Sequence, residues 1–385
     1  MSKHDLTAQL KGQLSSLVAI PSISSALPHL DCSNRAVVEQ LAEWLTQLGF
    51  TCELLPVAEQ PGKVNLLATL GRGPGGLVLA GHTDTVPYDD SLWQQDPFRL
   101  QESEDRWYGL GATDMKGFFP VAIAAASAFT NQPLRAPLML LATADEESSM
   151  CGARELVKLG RPTGRYAVIG EPTGLKPIRA HKGIMMEAIR VTGHSGHSSN
   201  PALGRNAMED MHLVFNELLA FRSELQKNHR NPMFAVATPT LNPGYIHGGD
   251  NPNRICGHCE LHFDIRPLPG MNLDELRHTL EHRLLRLKEE TGMQVVLESL
   301  FPGVPAYEES LQSSLVQKAE QLTGYASEAV AFATEAPYLQ SLGHETIVLG
   351  PGNIDQAHQP NEFIEIGQAL TAVETLKSVI AHYCL

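Results

Sequence analysis

The sequence predicts an α/β fold, with a mostly parallel sheet flanked by helices and a second, inserted α+β domain. Short apolar runs of strand length alternate with segments of helical periodicity along most of the 385 residues, an order typical of parallel sheets. Residues 183–300 instead read strand, helix, strand, strand, helix, strand, which is typical of a four-stranded, mainly antiparallel sandwich. We therefore expect one domain from residues 1–182 and 301–385, and an inserted domain from residues 183–300.

The composition is that of a globular protein and argues against several classes of partner. The formal charge of −14 disfavours nucleic acid and anionic membranes. The N-terminus lacks the apolar core of a signal peptide, and the longest apolar run, residues 120–129, is too short to span a bilayer. Six cysteines in a chain of this length do not form a disulfide framework. We therefore expect a cytoplasmic protein that binds neither nucleic acid nor a membrane; the small-molecule substrate follows only from the resemblance given below.

Cys256 and Cys259 have the spacing of a redox motif. Such a motif needs its first cysteine at a helix N-terminus, where the thiolate is stabilised. Here the pair lies in a segment that alternates like a strand, and residues three apart on a strand face opposite sides. A redox or zinc role for this pair is therefore the weaker alternative, and thiol alkylation would test it.

Apolar periodicity places the elements in order along the chain. In the first domain we expect helices at 5–19, 34–48, after Gly117, at 152–159 and at 363–383, and strands at 52–57, 64–70, 77–80, from 138, at 166–170 and at 346–350. In the inserted domain we expect strands at 184–191, 234–241, 255–266 and 294–300, and helices at 204–226 and 273–290.

The apolar run that begins at Leu138 ends in three consecutive carboxylates, Asp145, Glu146 and Glu147. Like charges beside a buried strand end raise one another's pKa or attract cations. Successive side chains at the tip of a strand also point to opposite sides. One carboxylate could therefore hold a metal ion while another faces a reacting water, although a solvated acidic loop explains this stretch equally well.

Two further patterns have ordinary alternatives when each is taken alone. His82 and Asp84 follow the strand at 77–80 and lie two residues apart, which suits a metal-binding imidazole and a carboxylate that orients it. A lone His-x-Asp pair is more often structural. Asp114 stands near the start of the apolar helix, where capping of the helix N-terminus is its ordinary role.

The position of these residues relative to the strands favours a common site. Sites of parallel sheets form outside the carboxyl ends of the strands, so side chains that follow the strands should converge there. Two histidines and several carboxylates are a ligand set for zinc or a similar divalent ion, and enough for two ions. The residues that follow short apolar strands in this way are His82, Glu146, Glu147, Glu171 and, on a longer loop, His358.

These motifs resemble those of the metallo-aminoacylase and carboxypeptidase family that includes carboxypeptidase G2, succinyl-diaminopimelate desuccinylase and acetylornithine deacetylase. The resemblance covers nearly the whole chain in the same order. It implies a sheet of the zinc-exopeptidase type, an inserted ferredoxin-like domain that acts as lid and dimerisation domain, and a homodimer. The stretches that carry it are 81–87, 111–117, 145–147, 170–173, 193–199 and 357–362.

The resemblance also implies roles for the site residues. Two divalent ions, Zn²⁺ or Co²⁺, would share the carboxylate of Asp114. Glu146 would be the general base, and Asp84 would orient His82. His197 would reach the partner subunit's site and help to hold the oxyanion there. The implied metal ligands are His82, Asp114, Glu147, Glu171 and His358.

Substrate contacts are implied for three further residues. Asn253 and Arg266 resemble lid residues that contact the substrate. We expect Arg266 to pair with its α-carboxylate, because a guanidinium fork matches a carboxylate; a structural ion pair is the alternative. We further expect Glu335 to recognise a cationic side-chain amine, with capping of a helix by Thr334 or Glu335 as the competing account.

The resemblance is greatest to the family members that act on N2-acetyl-L-ornithine, on the stretches 239–242, 246–250, 264–271, 334–337 and 349–352. It implies a metal-dependent amidohydrolase that converts N2-acetyl-L-ornithine and water to L-ornithine and acetate in arginine biosynthesis. A related N-acyl-amino-acid amidohydrolase, such as succinyl-diaminopimelate desuccinylase, is the alternative enzyme. A non-catalytic binding protein on this fold is the alternative of another class, but it should have lost ligands or the base, and all are present here.

Overall fold

The computed structural model describes residues 2–385, and the chain divides into two compact units. Unit 1 comprises Met1–Arg179, Glu309–Glu328 and Thr334–Leu385, and unit 2 comprises Ala180–Glu308 and Ala329–Ala333. The predicted insert, residues 183–300, lies inside unit 2, which extends a few residues beyond it on both sides. The exact domain boundaries, at residues 183 and 300, stay a prediction.

The bounds of the regular elements follow the chain in order. The helices of the described residues are α1 (Lys3–Val18), α2 (Arg35–Gln47), α3 (Phe118–Ser127), α4 (Cys151–Leu159), α5 (Ala207–Asn228), α6 (Leu273–Thr291), α7 (Ser314–Thr323), α8 (Ala336–Ser341) and α9 (Ile366–Cys384). The strands are β1 (Thr51–Pro56), β2 (Val64–Leu70), β3 (Leu77–His82), β4 (Gln101–Ser103), β5 (Arg106–Tyr108), β6 (Leu138–Thr143), β7 (Tyr166–Pro172), β8 (Ile178–His181), β9 (Met185–Thr192), β10 (Thr240–Gly248), β11 (His258–Arg266), β12 (Gln294–Ser299), β13 (Tyr307–Glu308), β14 (Glu328–Val330), β15 (Glu345–Gly350) and β16 (Phe363–Glu365).

Unit 1 is built on a mixed sheet with a parallel centre. Its strands follow the order β1-β2-β6-β3-β7-β15-β8. The central pairs β6–β3, β3–β7 and β7–β15 are parallel, whereas β1, β2 and β8 join antiparallel at the sides. The prediction of a mostly parallel sheet flanked by helices is confirmed for this centre. Because β3, β6 and β7 run in the same direction, their carboxyl ends meet at one edge of the sheet.

The core of unit 1 surrounds an apolar helix. Residues 118–126 of α3 are buried all round the helix, and they form one cluster with apolar side chains of α1, α2, α9 and the central strands. Strands β3 and β6 are buried along their whole length, as expected for parallel strands covered on both faces. Each fully buried Leu or Phe stabilises the fold by about 1.5–3 kcal/mol, so the strand ends that carry the site are firmly held.

Unit 2 contains the predicted ferredoxin-like sandwich. Its sheet has the order β10-β11-β9-β12, and every neighbouring pair is antiparallel. Apolar residues of α5 and α6 form a common core with one face of this sheet. The predicted order of elements is confirmed, since α5 follows β9 and α6 follows β11.

Several predicted elements are wrong in their extent. The strand expected from 255 begins at His258 and the helix expected from 204 begins at Ala207, and two further differences have a visible cause. The strand expected at 234–241 begins at Thr240 and continues to Gly248, while Phe234 packs in a separate small cluster with Ala180 and Leu268. The strand β10 lies at the edge of the sheet and carries a bulge after Pro243, so its exposed residues lack the alternation of a half-buried strand. The helix expected at 363–383 begins only at Ile366, because residues 363–365 pair with β5 instead.

The cysteines form no disulfide among the described residues, where all six are free. Cys256 precedes β11 and Cys259 lies within it, so neither occupies a helix N-terminus. Burial raises the pKa of the Cys259 thiol, which is the opposite of what a redox motif requires. Within residues 2–385, no helix combines the length and the apolar character needed to cross a membrane.

Candidate metal centre

The candidate metal centre lies in unit 1, where three parallel strands end. His82 is the last residue of β3, Glu146 and Glu147 follow β6, and Glu171 is the next-to-last residue of β7. The ligating atoms of His82, Asp114 and Glu147 lie within 4.8 Å of one another. The convergence that the strand pattern predicts is therefore present for these residues.

Asp114 lies between the two predicted histidines. Its Oδ1 is 3.1 Å from His82 Nε2, and its Oδ2 is 3.5 Å from His358 Nε2. His358 Nε2 is also 2.9 Å from Glu147 Oε2. On the His82 side, Glu171 Oε1 lies 3.9 Å from Nε2. The five residues thus form two groups that share one carboxylate.

Asp114 does not cap a helix, so the N-cap alternative is wrong. Helix α3 begins at Phe118 and its N-cap position is Gly117, without a side-chain cap. Asp114 instead lies in a turn that Glu362 holds from the far end of the chain. The Glu362 carboxylate accepts backbone N–H groups of Gly111, Thr113 and Asp114 at 2.7–2.9 Å. Glu362 is a positioning residue that sequence reasoning missed, because its contacts span about 250 residues.

Asp84 connects the histidine strand to the acidic turn. It is fully buried, and its two carboxylate oxygens accept the backbone N–H groups of Glu146 and Glu147 at 3.2 and 3.1 Å. His82 Nδ1 lies 3.1 Å from the Asp84 backbone oxygen and 3.6 Å from Oδ1. Burial opposes ionisation of Asp84, but its bonds to His82 and Glu147 outweigh burial and hold its pKa below the usual value. Asp84 therefore positions both the imidazole and the turn.

The buried side chain of Lys63 also contacts the acidic turn. Asp145, which has φ +62°, accepts a hydrogen bond from Cys151 Sγ at 3.4 Å and lies 3.3 Å from Lys63 Nζ. Lys63 is 3% exposed and also contacts Asp31 Oδ1 at 2.7 Å. No local sequence pattern marks Lys63, so its link to this turn was not predicted.

The electrostatics of the centre reflect crowded carboxylates. Burial raises the pKa of Glu147 to about 7, with a further contribution from Asp114. Burial likewise raises the pKa of Glu146 and of Glu171 well above the usual value. Hydrogen bonds to Asp114 and Glu147 raise the pKa of His358 to about 10. The imidazoles thus act as the counter-cations of this site, and divalent ions can replace the protons that they hold.

Glu146 differs from its neighbour in what its side chain contacts. Within the described residues its carboxylate makes no hydrogen bond, and only its backbone N–H is engaged, by Asp84. Glu147 in contrast contacts His358. The two neighbouring carboxylates therefore differ in their contacts, and the prediction that one holds a metal ion while the other faces a reacting water stays a prediction.

Glu335 joins the same region from the loop before α8. Its Oε2 accepts a hydrogen bond of 2.7 Å from Thr143 Oγ1, the last residue of β6. Its Oε1 is buried and has no partner among the described residues. Burial raises the pKa of Glu335 to about 7. The structure therefore adds a further carboxylate to the group.

Three predicted site residues, His197, Asn253 and Arg266, lie in unit 2 and make their contacts there. His197 is exposed, and Ser199 Oγ lies 2.7 Å from its Nδ1. Asn253 lies on the neighbouring loop, where its backbone oxygen accepts Ser198 N–H at 3.0 Å. Arg266 Nε donates to Asp264 Oδ2 at 2.9 Å, and the Arg266 side chain is 30% exposed. The ion-pair alternative for Arg266 is thus present in the structure, alongside a guanidinium that is still partly accessible.

The residues at this centre fit a divalent metal site. Two imidazoles and several carboxylates are ligands that zinc accepts, and one oxygen of Glu147 is buried without a hydrogen-bond partner. Buried carboxylates without partners are costly, and a cation removes that cost. Asp84 beside His82 and Glu362 beside Asp114 supply the outer contacts that orient metal ligands.

Comparison with known proteins gives a consistent result. Acetylornithine deacetylase of Pasteurella multocida (strain Pm70) is 48% identical over 370 residues, 96% of this chain and 97% of that protein. Acetylornithine deacetylase of Edwardsiella ictaluri (strain 93-146) is 49% identical over 368 residues, 96% of each chain. A tripeptidase structure from Staphylococcus aureus has a TM-score of 0.75 at 18% identity and covers 98% of both chains, which supports the fold. The model of peptidase family M20/M25/M40 matches residues 78–382, and the chain therefore belongs to this family of metal-dependent hydrolases.

Proposed function

We propose that this chain hydrolyses N2-acetyl-L-ornithine to L-ornithine and acetate, a step of arginine biosynthesis. The observation that carries the proposal is the position of Asp114 between His82 and His358, with the free carboxylate of Glu146 beside this group. The names of relatives at 48–49% identity over nearly the full length support the choice of substrate.

Five residues would hold two divalent ions, with Asp114 shared between them. Bound there, such ions supply Lewis acidity and bring the pKa of a water molecule down to about 7. The mixed nitrogen and oxygen ligands favour Zn²⁺ or Co²⁺ over Mg²⁺, which prefers oxygen alone. The ligands that we propose are His82, Asp114, Glu147, Glu171 and His358.

Glu146 is the residue that we assign as general base. It takes a proton from the attacking water while the water oxygen bonds to the acetyl carbon. It then passes that proton to the amide nitrogen, so that the C–N bond breaks and the amine leaves. Such proton transfer contributes about 10²–10⁴-fold to the rate. Asp84 keeps Glu146 in place through its backbone N–H.

His197, Asn253 and Arg266 are the residues of unit 2 that we assign to the substrate. His197 would donate to the oxyanion in the partner subunit's site, which requires a homodimer. Its exposure in the single chain supports this role. Asn253 lies on the adjoining loop, and Arg266 would pair with the α-carboxylate. Light scattering after gel filtration would test the dimer, and a monomer that is fully active would contradict it.

A cytoplasmic location fits the cysteines. All six are free, as is usual where thiols stay reduced. We therefore propose a cytoplasmic location.

The experiment that tests the function is ornithine release by the purified, zinc-loaded protein. N2-acetyl-L-ornithine would be compared with N-succinyl-diaminopimelate and N-acetylmethionine, with Glu146→Ala as control. A preference for N2-acetyl-L-ornithine that the variant abolishes would support the proposal. A preference for the succinyl substrate would favour the related desuccinylase. No hydrolysis of any substrate with metal bound would contradict the enzymatic function.

A further inference from the structure

We propose that the carboxylate of Glu335 recognises the side-chain ammonium group of the substrate and so selects ornithine over amino acids with neutral side chains. The inference rests on the proposed function for its substrate. Glu335 is neither one of the five proposed ligands nor the proposed base; it is buried, and one oxygen of its carboxylate has no hydrogen-bond partner among the described residues.

The competing account, in which Thr334 or Glu335 caps a helix, fits the contacts of Thr334 but not those of Glu335. Glu335 occupies the N-cap position of α8, but its side chain makes no capping hydrogen bond. Thr334 Oγ1 accepts the backbone N–H of Ala336 at 3.1 Å instead. The Glu335 side chain turns toward the end of β6, where Thr143 Oγ1 donates to its Oε2. Its position is therefore not explained by local helix structure.

The second oxygen of this carboxylate has no partner. Glu335 is 2% exposed, and Oε1 is buried without a hydrogen bond among the described residues. No Lys or Arg of residues 2–385 forms an ion pair with Glu335, in contrast to buried Glu187, which pairs with Arg277 at 2.8 Å. A buried carboxylate oxygen without a partner lowers the free energy of unfolding unless a cation or a hydrogen-bond donor binds to it. The missing partner therefore points to a cationic ligand.

The location of Glu335 places that ligand beside the reacting group. Thr143 is three residues before Glu146 on the same strand and turn. Thr143 Oγ1, which contacts Glu335 at 2.7 Å, also lies 3.1 Å from the backbone oxygen of Gly81, the residue before His82. Glu335 therefore contacts the strand that leads to Glu146, beside the end of the strand that carries His82.

The chemistry of the cation follows from the shape of the acceptor. Only one oxygen is free, since Thr143 engages the other. A primary ammonium is a compact cation with several N–H donors, so it can fill a single buried acceptor. A side chain that ends in a methyl group would leave the carboxylate unpaired. The discrimination therefore depends on an unsatisfied charge, which is the strongest form of selection against an analogue.

The test compares two substrates that differ only in the amine. N-acetyl-L-norvaline has the carbon chain of N2-acetyl-L-ornithine without the δ-amine. We expect Glu335→Gln to lower kcat/KM for N2-acetyl-L-ornithine about 30-fold or more, the effect of truncating one partner of a buried charge pair. The value for N-acetyl-L-norvaline should change by less than about threefold. Glu335→Asp keeps the charge and should retain most of the preference, and Glu328→Gln, an exposed glutamate paired with Lys176, is the matched control.

Four results would overturn the inference, three from kinetics and metal analysis and one from binding. If Glu335→Gln lowered kcat/KM equally for both substrates, Glu335 would have a general role. If the ratio of the two kcat/KM values stayed unchanged, Glu335 would have no role in selection. If Glu335→Gln bound less metal, Glu335 would be a metal ligand. Calorimetric binding of L-ornithine and L-norvaline to the zinc-loaded protein is independent of turnover. If wild type hydrolyses neither substrate, the proposed function fails, but a preference for L-ornithine that Glu335→Gln removes would still support this inference, and equal binding would contradict it.

Discussion

The two oxygens of the Asp114 carboxylate face two different histidines, with Oδ1 at 3.1 Å from His82 Nε2 and Oδ2 at 3.5 Å from His358 Nε2. One residue therefore belongs to both halves of the candidate centre. Asp114 is 7% exposed, and Glu362 holds its turn by three backbone hydrogen bonds. A shared, rigidly held carboxylate is the arrangement that two neighbouring ions require.

Replacing Asp114 by Ala should remove metal from both positions. His358→Ala should remove metal from only one, because His82 and Glu171 would keep the other. Elemental analysis of the two variants after identical zinc loading and dialysis would measure this. A larger metal loss in His358→Ala than in Asp114→Ala would contradict the shared role.

Chelation should lower the melting temperature of the wild-type protein. Without a metal ion, the buried carboxylates of Glu147, Glu171 and Glu335 are balanced only by the two nearby imidazoles. A ligand present at about 100 times its Kd raises the free energy of unfolding by about 2.7 kcal/mol. We therefore expect EDTA to lower the melting temperature by an amount on the order of 5 °C. Calorimetry with and without EDTA would measure it, and zinc should reverse it. Asp114→Ala should show a much smaller response to EDTA.

Lys63→Met should reduce both stability and turnover. The substitution leaves Asp145 buried without its cation, at a cost of about 3–5 kcal/mol. Asp145 precedes Glu146, so the turn that carries the base should move and kcat should fall more than KM rises. Unfolding in urea and steady-state kinetics would measure the two effects.

A double variant provides the control for Lys63. Because Asn at position 145 removes the buried charge, Lys63→Met with Asp145→Asn should lose less stability than the sum of the two single variants. Full additivity would show that the 3.3 Å contact between Lys63 and Asp145 carries no energy.

Gly170→Ala should destabilise the strand end that carries Glu171. A Cβ at this position would lie 2.1 Å from Phe118 Cδ2, and Phe118 is buried in the core. We expect a loss of about 1–3 kcal/mol together with weaker metal binding. Gly12→Ala is the matched control, because nothing lies within 4 Å of its Cβ and it should stabilise α1 by about 0.5–1 kcal/mol. Equal stability of Gly170→Ala and wild type would contradict the packing argument.

Much of the centre could be predicted because it depends on strand ends. The apolar runs that become β3, β6 and β7 are continuous and end abruptly, and parallel strands bring their ends together. The residues that follow them, such as His82 and Glu147, therefore converge without any knowledge of distant contacts. The helical periodicity of α1, α2 and α6 was likewise clear, because each buries one regular face.

The residues that could not be predicted depend on contacts far apart in the chain. Glu362 accepts backbone N–H groups about 250 residues away. Lys63, just before β2, lies 3.3 Å from Asp145, which follows the neighbouring strand β6. The short strand β16 exists only because β5 pairs with it. The bounds of edge strand β10 could not be predicted from apolar periodicity, because most of its residues are exposed.

The most direct test of the account is a comparison of wild type with Glu146→Gln, in which ornithine release and metal content are measured on the same samples. The substitution keeps the size of the side chain and removes its ability to accept a proton. We predict unchanged metal content and a rate at least about 10²-fold lower. A variant that keeps its rate, or that loses its metal in parallel with its activity, would contradict the assignment of Glu146 as the base.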